Sequence, residues 1–349
     1  MIKQILFVLT ILIILGCSEK QRDSKENRVE NVLKHFKDSV TDFGIVALVD
    51  NGIKKDTASI GFAYKDYPIS VQNRFCIGSC TKMFTAVIIL KLQEEGYLKI
   101  DNSIKNYIPD HPYIDGTITI KHLLNHTSGL TDILKNGFLN EPILNPDGNY
   151  SDKVLYSKID TINFEKSKRY QYCNTNYFLL SKIIEKVTDK SWEMNIQELI
   201  IEPLELKNTF PYHSNTIKKL THPIIDGQDL HEIPKFANNI LSMGSGNIVS
   251  DVYDMNTFIR TLLIEKTLLS SKSLEQMTNF FEYKKTKTGL GIFKEKYGDR
   301  VMLGHTGRQI SYISYVFADQ KNGESIVVLN NNANDPVIDE VFENLIKNE

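Results

Sequence analysis

The chain has 349 residues, 41% hydrophobic and 24% charged, with a formal net charge of −2. That is enough chain to bury one large core or two joined ones, and the balanced charge speaks against a nucleic-acid binder, which carries a basic face.

The N-terminus opens with Met1-Ile2-Lys3, an apolar run over residues 5–15, and then Gly16-Cys17. The run is too short to span a bilayer and has the basic start and small-residue break of a secretory signal. Ile14-Leu15-Gly16-Cys17 is similar to the bacterial lipobox, which implies cleavage after residue 16 and a lipid on Cys17. Residues 18–27 are polar and charged with little to bury, so residues 17–29 are expected to form a lipidated tether holding the protein at a membrane outside the cytoplasm. Cys76, Cys80 and Cys173 remain. They include no Cys-x-x-Cys pair and are expected to be small buried side chains.

Residues 31–40 read as a helix, and residues 43–49 and 57–64 as strands joined at the hairpin signal Asp50-Asn51-Gly52. A short apolar run, residues 75–78, leads into a helical pattern over 83–92. Residues 98–268 are mostly helical and loop-rich, with helices expected at 120–125, 176–187 and 191–201 and a long irregular stretch over 131–168. Strands return at 289–293, 301–306, 312–319 and 325–329, and an amphipathic helix closes the chain at 336–347. Strands at both ends with helices between predict an α/β (α+β) fold, an antiparallel sheet built from both termini. Residues 30–97 and 285–349 would form the sheet domain and residues 98–284 a mainly helical insertion.

Ser79-Cys80-Thr81-Lys82 is the only Ser-x-x-Lys in the chain, and Tyr172-Cys173-Asn174 the only Tyr-x-Asn. At i and i+3 of a helix, the Ser79 hydroxyl and the Lys82 amine share a face, and a lysine of lowered pKa can take a serine proton. As a local match, the same tetrad also suits a helix N-terminus capped by Ser79. His305-Thr306-Gly307 ends a predicted strand. In this order, on helix, loop and strand, the three motifs resemble those of the penicillin-recognising serine hydrolases: serine β-lactamases, D-Ala-D-Ala peptidases and related esterases. The Tyr-x-Asn form points to the class C β-lactamase branch. Residues 122–130, Glu202-Pro203-Leu204, Gly244-Ser245-Gly246 and the run 311–329 extend the resemblance over nearly the whole mature chain.

The resemblance implies a serine hydrolase fold with an acyl-enzyme formed on Ser79, and Lys82, Tyr172 or both as base. It further implies an oxyanion hole from the N–H groups of Ser79 and Arg308, and substrate contacts from Asn174, His305, Thr306 and Gly307. It implies no cofactor and no metal. The substrate would be a small molecule or peptide, namely a D-amino peptide, an ester or a β-lactam. The histidine of the third motif leans toward peptidase or esterase over efficient β-lactamase. The other reading is a lactam or peptidoglycan-fragment binder that does not turn over. It is kept open by departures from the family pattern: Lys166-Ser167 where Pro-Gly is usual, and Arg308 and Ser311 where glycines are favoured. Arg308 narrows the oxyanion side of the site, or offers a cation to a substrate carboxylate, or points to solvent and contributes only its N–H.

Four further features are weighed against plainer roles. Lys287-Thr288-Gly289 also matches Lys-Thr-Gly, but only His305-Thr306-Gly307 precedes the closing hairpin. His122 and His126, four apart, lack the acidic partner of a zinc motif and are expected to be structural. Trp192 is expected to pack, and Thr127-Ser128-Gly129 to turn. No Gly-x-Ser-x-Gly is present, which argues against an α/β-hydrolase. Oligomeric state is not legible.

Overall fold

The computed structural model describes residues 27–135, 141, 148, 150–212, 217–231, 243–332 and 336–347. The expected leader, Cys17 and most of the tether lie outside them. Helix α1 (Arg28–Lys34) starts three residues before its expected position because Asn27 caps it, its side chain accepting from the Glu30 N–H. Strands β1 (Gly44–Asp50) and β2 (Lys55–Tyr64) form the predicted hairpin, with Gly52 at φ 81° in its turn. Two-residue strands β3 (Tyr67–Pro68) and β4 (Phe75–Cys76) follow, then a 3₁₀ turn over Gly78–Cys80 that runs into α2 (Thr81–Glu94). Helix α2 is buried on nearly every side, which its almost unbroken apolar sequence allows and which makes it the central helix.

Helices α3 (Ile120–Leu124), α4 (Asp152–Ser157), α5 (Asn174–Thr188) and α6 (Trp192–Ile196) build the helical part; α6 passes into a π-turn over Gln197–Ile201 rather than staying α-helical to 201. Helix α4 lies in the stretch expected to be irregular. Short strands β5 (Phe210–Pro211), β6 (Ile224–Ile225), β7 (Gln228–Asp229) and β8 (Ile248–Ser250) precede helices α7 (Val252–Leu263) and α8 (Ser271–Met277). The chain ends with β9 (Phe281–Tyr283), β10 (Thr286–Thr288), β11 (Phe293–Tyr297), β12 (Arg300–Gln309), β13 (Tyr312–Asp319), β14 (Glu324–Asn330) and α9 (Val337–Lys347).

One antiparallel sheet takes nine of these strands, in the order β3-β2-β1-β14-β13-β12-β11-β10-β9. It joins both ends of the chain, as expected: β1 pairs with β14 from Ile45–Asn330 to Asp50–Ser325. Helices α1 and α9 cover one face, where Val29, Leu33, Val341, Phe342 and Leu345 pack on Ile45, Ala47, Ile326 and Val328. The other face meets α2, α7 and the helical part in a second, larger core.

The strand expected over 289–293 is corrected. Residues 289–292 form a turn between β10 and β11, closed by the Gly289 N–H donating to the Ile292 carbonyl. The Gly291 N–H reaches the Leu124 carbonyl, and a Cβ on Gly291 would stand 2.6 Å from the Ala86 Cβ. The apolar residues there therefore serve a close approach of backbone to α2 and α3, not a ladder.

A candidate active site at the start of the central helix

The small sheet β4-β8-β5 sets the turn that carries Ser79. Phe75 and Cys76 pair with Ser250 and Val249, and the Ile77 N–H donates to the Ile248 carbonyl at 2.9 Å. The chain then turns through Gly78 (φ 51°) into Ser79 and α2. Strand β12 lies directly against this turn. A Cβ on Gly307 would stand 1.9 Å from the Ile77 carbonyl oxygen and 3.2 Å from the Ser79 nitrogen; one on Gly78 would stand 2.7 Å from the Arg308 nitrogen. The two glycines thus let the backbones of β12 and the serine turn come into contact, bringing residues 79 and 308 together.

Lys82 occupies the first turn of α2 and is fully buried. Its Nζ donates to Ser79 Oγ at 3.0 Å, to Asn174 Oδ1 at 2.9 Å and to the Ser245 carbonyl at 2.8 Å. The rings of Tyr172 and Tyr177 lie 4.9 and 5.4 Å from the same nitrogen. Burial brings the Lys82 pKa down to about 7, against an opposing pull from Asp132, Cys173 and Cys80. The amine thus gives up its proton far more readily than an exposed lysine, with a serine hydroxyl in hydrogen-bond reach.

Tyr172 sits on the loop ahead of α5, and Asn174 is the first residue of that helix. Burial raises the Tyr172 pKa well above the ordinary tyrosine value, and Ser79 is the group that draws it back down. A tyrosine in that setting keeps its proton. The His126 ring lies tilted against it, centroids 4.5 Å apart, and the His126 Nδ1 accepts the Cys173 N–H at 3.2 Å, pinning the loop. His305 lies 6.1 Å from the Tyr172 ring and is buried; burial and then the nearby Lys82 charge push its pKa down to about 3. It is a neutral imidazole at the pH of most cells. It therefore brings no positive charge to the cleft.

A cleft of about 500 Å³ opens over this cluster, lined by Ser79, Tyr172, His305, Thr306, Gly307 and Arg308, with Tyr170, Phe293 and Glu295 on one flank and Tyr315 and Asp339 on another. The Arg308 side chain is exposed along it and is the one Lys or Arg among the lining residues. Strand β12 pairs with β11 only from Arg300 to Gly304, whereas its pairing with β13 continues to Gln309. Residues 305–309 therefore present a strand edge to the cleft that β11 leaves uncovered.

A family model for beta-lactamase matches residues 44–343. The chain belongs to the beta-lactamase family. Teichoic acid D-alanine hydrolase of Staphylococcus aureus (strain NCTC 8325) is 27% identical over 347 aligned positions, 93% of this chain and 79% of that protein. Protein flp of Staphylococcus aureus (strain MW2) is 26% identical over 302 positions, 82% of this chain but only 59% of that protein, so the chain spans less than two thirds of that relative. Among solved structures, a D-stereospecific amidohydrolase from Streptomyces sp. is 26% identical with a TM-score of 0.77, covering 90% of this chain and 97% of that one. D-amino acid amidase from Ochrobactrum anthropi SV3 shares the fold, with a TM-score of 0.80 at 22% identity over 92% of this chain and 97% of that one.

In this beta-lactamase-family hydrolase, all the residues singled out by the three motifs converge on one cleft or its floor. The second Lys-Thr-Gly does not join them. Lys287 is on β10, two strands from β12, and its ammonium pairs with Glu282 at 2.7 Å. The plainer roles hold for the remaining candidates. His122 Nδ1 accepts the Thr119 N–H at the start of α3, and Ser128 donates to Asn176 in a buried turn. Trp192 is buried and donates to Thr85 Oγ1 at 3.1 Å. Three contributors were not anticipated: Asp132, which accepts from Asn174 Nδ2 at 3.0 Å, the Ser245 carbonyl, and His126 as the Tyr172 support. Ser245 and His126 lie in the family-like segments Gly244-Ser245-Gly246 and 122–130; nothing in the spacing marks Asp132.

Proposed function

We propose that this protein is an extracytoplasmic serine hydrolase, lipid-anchored through Cys17, that works through an acyl-enzyme on D-aminoacyl esters and amides. The observation that carries the chemistry is the buried Lys82 amine, 3.0 Å from the Ser79 hydroxyl and with its pKa lowered to about 7. Ser79 Oγ attacks the substrate carbonyl while its proton passes to neutral Lys82. Tyr172, which holds its own proton, hands one to the departing alcohol or amine and takes back from Lys82 the proton that left Ser79. The N–H groups of residues 79 and 308 take the oxyanion. Water then cleaves the ester on Ser79, releasing the acid and restoring the serine. The choice of D-aminoacyl substrates follows the names of the relatives, a teichoic acid D-alanine hydrolase and a D-stereospecific amidohydrolase. The uncovered edge of β12 suits an extended substrate chain.

An activated fluorophosphonate and a D-alanyl p-nitroanilide test this together. Wild type is expected to label at Ser79 and to turn over the D-substrate faster than its L-isomer, and Ser79→Ala to do neither. Labelling that persists in Ser79→Ala refutes the nucleophile; one burst without turnover returns the binder reading. Metabolic labelling with a radioactive fatty acid, lost in Cys17→Ser, tests the anchor.

A further inference from the structure

The Asn174 amide is held from both ends. Its Oδ1 accepts from Lys82 Nζ at 2.9 Å and its Nδ2 donates to Asp132 Oδ2 at 3.0 Å. We infer that Asp132 is a positioning residue of the site, its carboxylate locking the Asn174 amide so that an oxygen, and not an NH₂, faces Lys82. The inference rests on the acyl-enzyme reading above.

The chemistry admits one orientation. A carboxylate only accepts, so the amide nitrogen must face Asp132 and the amide oxygen is left for the lysine. Nδ2 has a second N–H, which this arrangement leaves for a substrate carbonyl. Asp132 is itself fixed to the helix that carries Asn174. Thr175 Oγ1 donates to the Thr131 carbonyl at 2.6 Å and accepts the Ile133 N–H at 2.8 Å, so residues 131–133 are strapped to the first turn of α5. Asp132 is also nearly buried, at 8% exposure, a costly place for a carboxylate whose only task is a turn. The titratable groups around Lys82 are Asp132 beyond Asn174, Cys80 and Cys173 beside it, Tyr172 and Tyr177 over its head, and His126 and His305. Among these Asp132 is the one carboxylate, and it opposes most strongly the loss of the lysine proton.

A plain turn role makes a different forecast. Asp132 Oδ1 accepts the Leu134 N–H at 3.0 Å, and an asparagine oxygen would do that equally well. In Asp132→Asn the new amide can donate to or accept from Asn174, so the orientation of Asn174 is no longer dictated and the negative charge is gone. Rates on a D-alanyl ester are measured from pH 5 to 9, with thermal melts, for wild type, Asp132→Asn, Asp132→Glu and Ser79→Ala. The acidic limb of kcat in wild type is expected near pH 7, where Lys82 becomes neutral. In Asp132→Asn, kcat is expected to fall about tenfold or more with KM little changed, while the limb moves down by about one pH unit because an opposite charge is lost. Asp132→Glu is expected to bring the limb back. A kcat unchanged in Asp132→Asn, or reduced with the limb in place, or a limb that stays low in Asp132→Glu, overturns the inference. If Asp132→Asn does not fold, Asp132→Ser, which keeps a turn acceptor and drops the charge, is read the same way. Labelling lost in Ser79→Ala beside an unmoved Asp132 series sinks this inference alone; labelling retained in Ser79→Ala sinks the acyl-enzyme reading beneath it.

Discussion

Gly307→Ala adds one methyl group where β12 meets the serine turn. Its Cβ would stand 1.9 Å from the Ile77 carbonyl oxygen, and real Cβ atoms essentially never approach below 3.0 Å, so the two backbones must part by about 1.1 Å. Neither side can yield cheaply. Ile77 is tied to β8 through Ile248, and residue 307 is paired with Ser314 on β13. Overpacking of this kind costs about 1–3 kcal/mol, a drop of a few degrees in Tm for a chain of this size. The effect on catalysis is larger, because the displacement falls between the two N–H groups proposed to hold the oxyanion. A misplacement of about 1 Å costs roughly 10²-fold in rate. The assay is kcat/KM for a D-alanyl ester, corrected for the folded fraction, next to Gly61→Ala, whose Cβ would meet the Phe43 carbonyl at 2.0 Å far from the cleft. Gly61→Ala is expected to lower Tm and leave the activity of the folded protein intact. Gly307→Ala with kcat/KM within threefold of wild type would refute the placement of the oxyanion site.

Two further outcomes are expected. Arg300→Ala removes the guanidinium that pairs with buried Asp319 at 2.9 Å and Glu324 at 2.7 Å; Glu324 keeps Arg28 at 2.6 Å and Asp319 keeps its bonds from residues 321 and 322, so the loss is expected to cost about 1–3 kcal/mol and roughly 2–4 °C in Tm, with an unchanged melt as the contrary result. Cys76, Cys80 and Cys173 are buried, and burial raises the Cys80 thiol pKa and takes that of Cys173 to about 12, so a disulfide reagent is expected to leave all three untouched in the folded protein and to react after denaturation; rapid native labelling that tracks loss of activity contradicts this.

The long strands were legible because each carries its own apolar run: β13 lies where the sequence placed it, β14 is one residue longer at each end, and β12 runs on to Gln309. What escaped depends on contacts between distant segments. Strands β5 and β8, two and three residues long, exist only because β8 bridges β4 and β5, and no run so short carries a period. Residues 289–292 look like a strand until Gly291 is seen at φ 76° against α2. At the site, the motif residues announce themselves by type and spacing. Asp132 is one of 43 acidic residues, brought to Asn174 by a side-chain strap between segments over forty residues apart, so its partner is not encoded in any local pattern.

The pairing of β1 with β14 also governs when activity can arise during synthesis. Ser79 and Lys82 leave the ribosome early, but β12, against which their turn is set, comes late, and the partner of β1 later still. Closing so long a loop is entropically unfavourable until the last strand supplies its ladder. A nascent or truncated chain thus carries Ser79 and Lys82 without the strand that faces them, and on the proposed mechanism hydrolytic competence arrives only with the complete sheet.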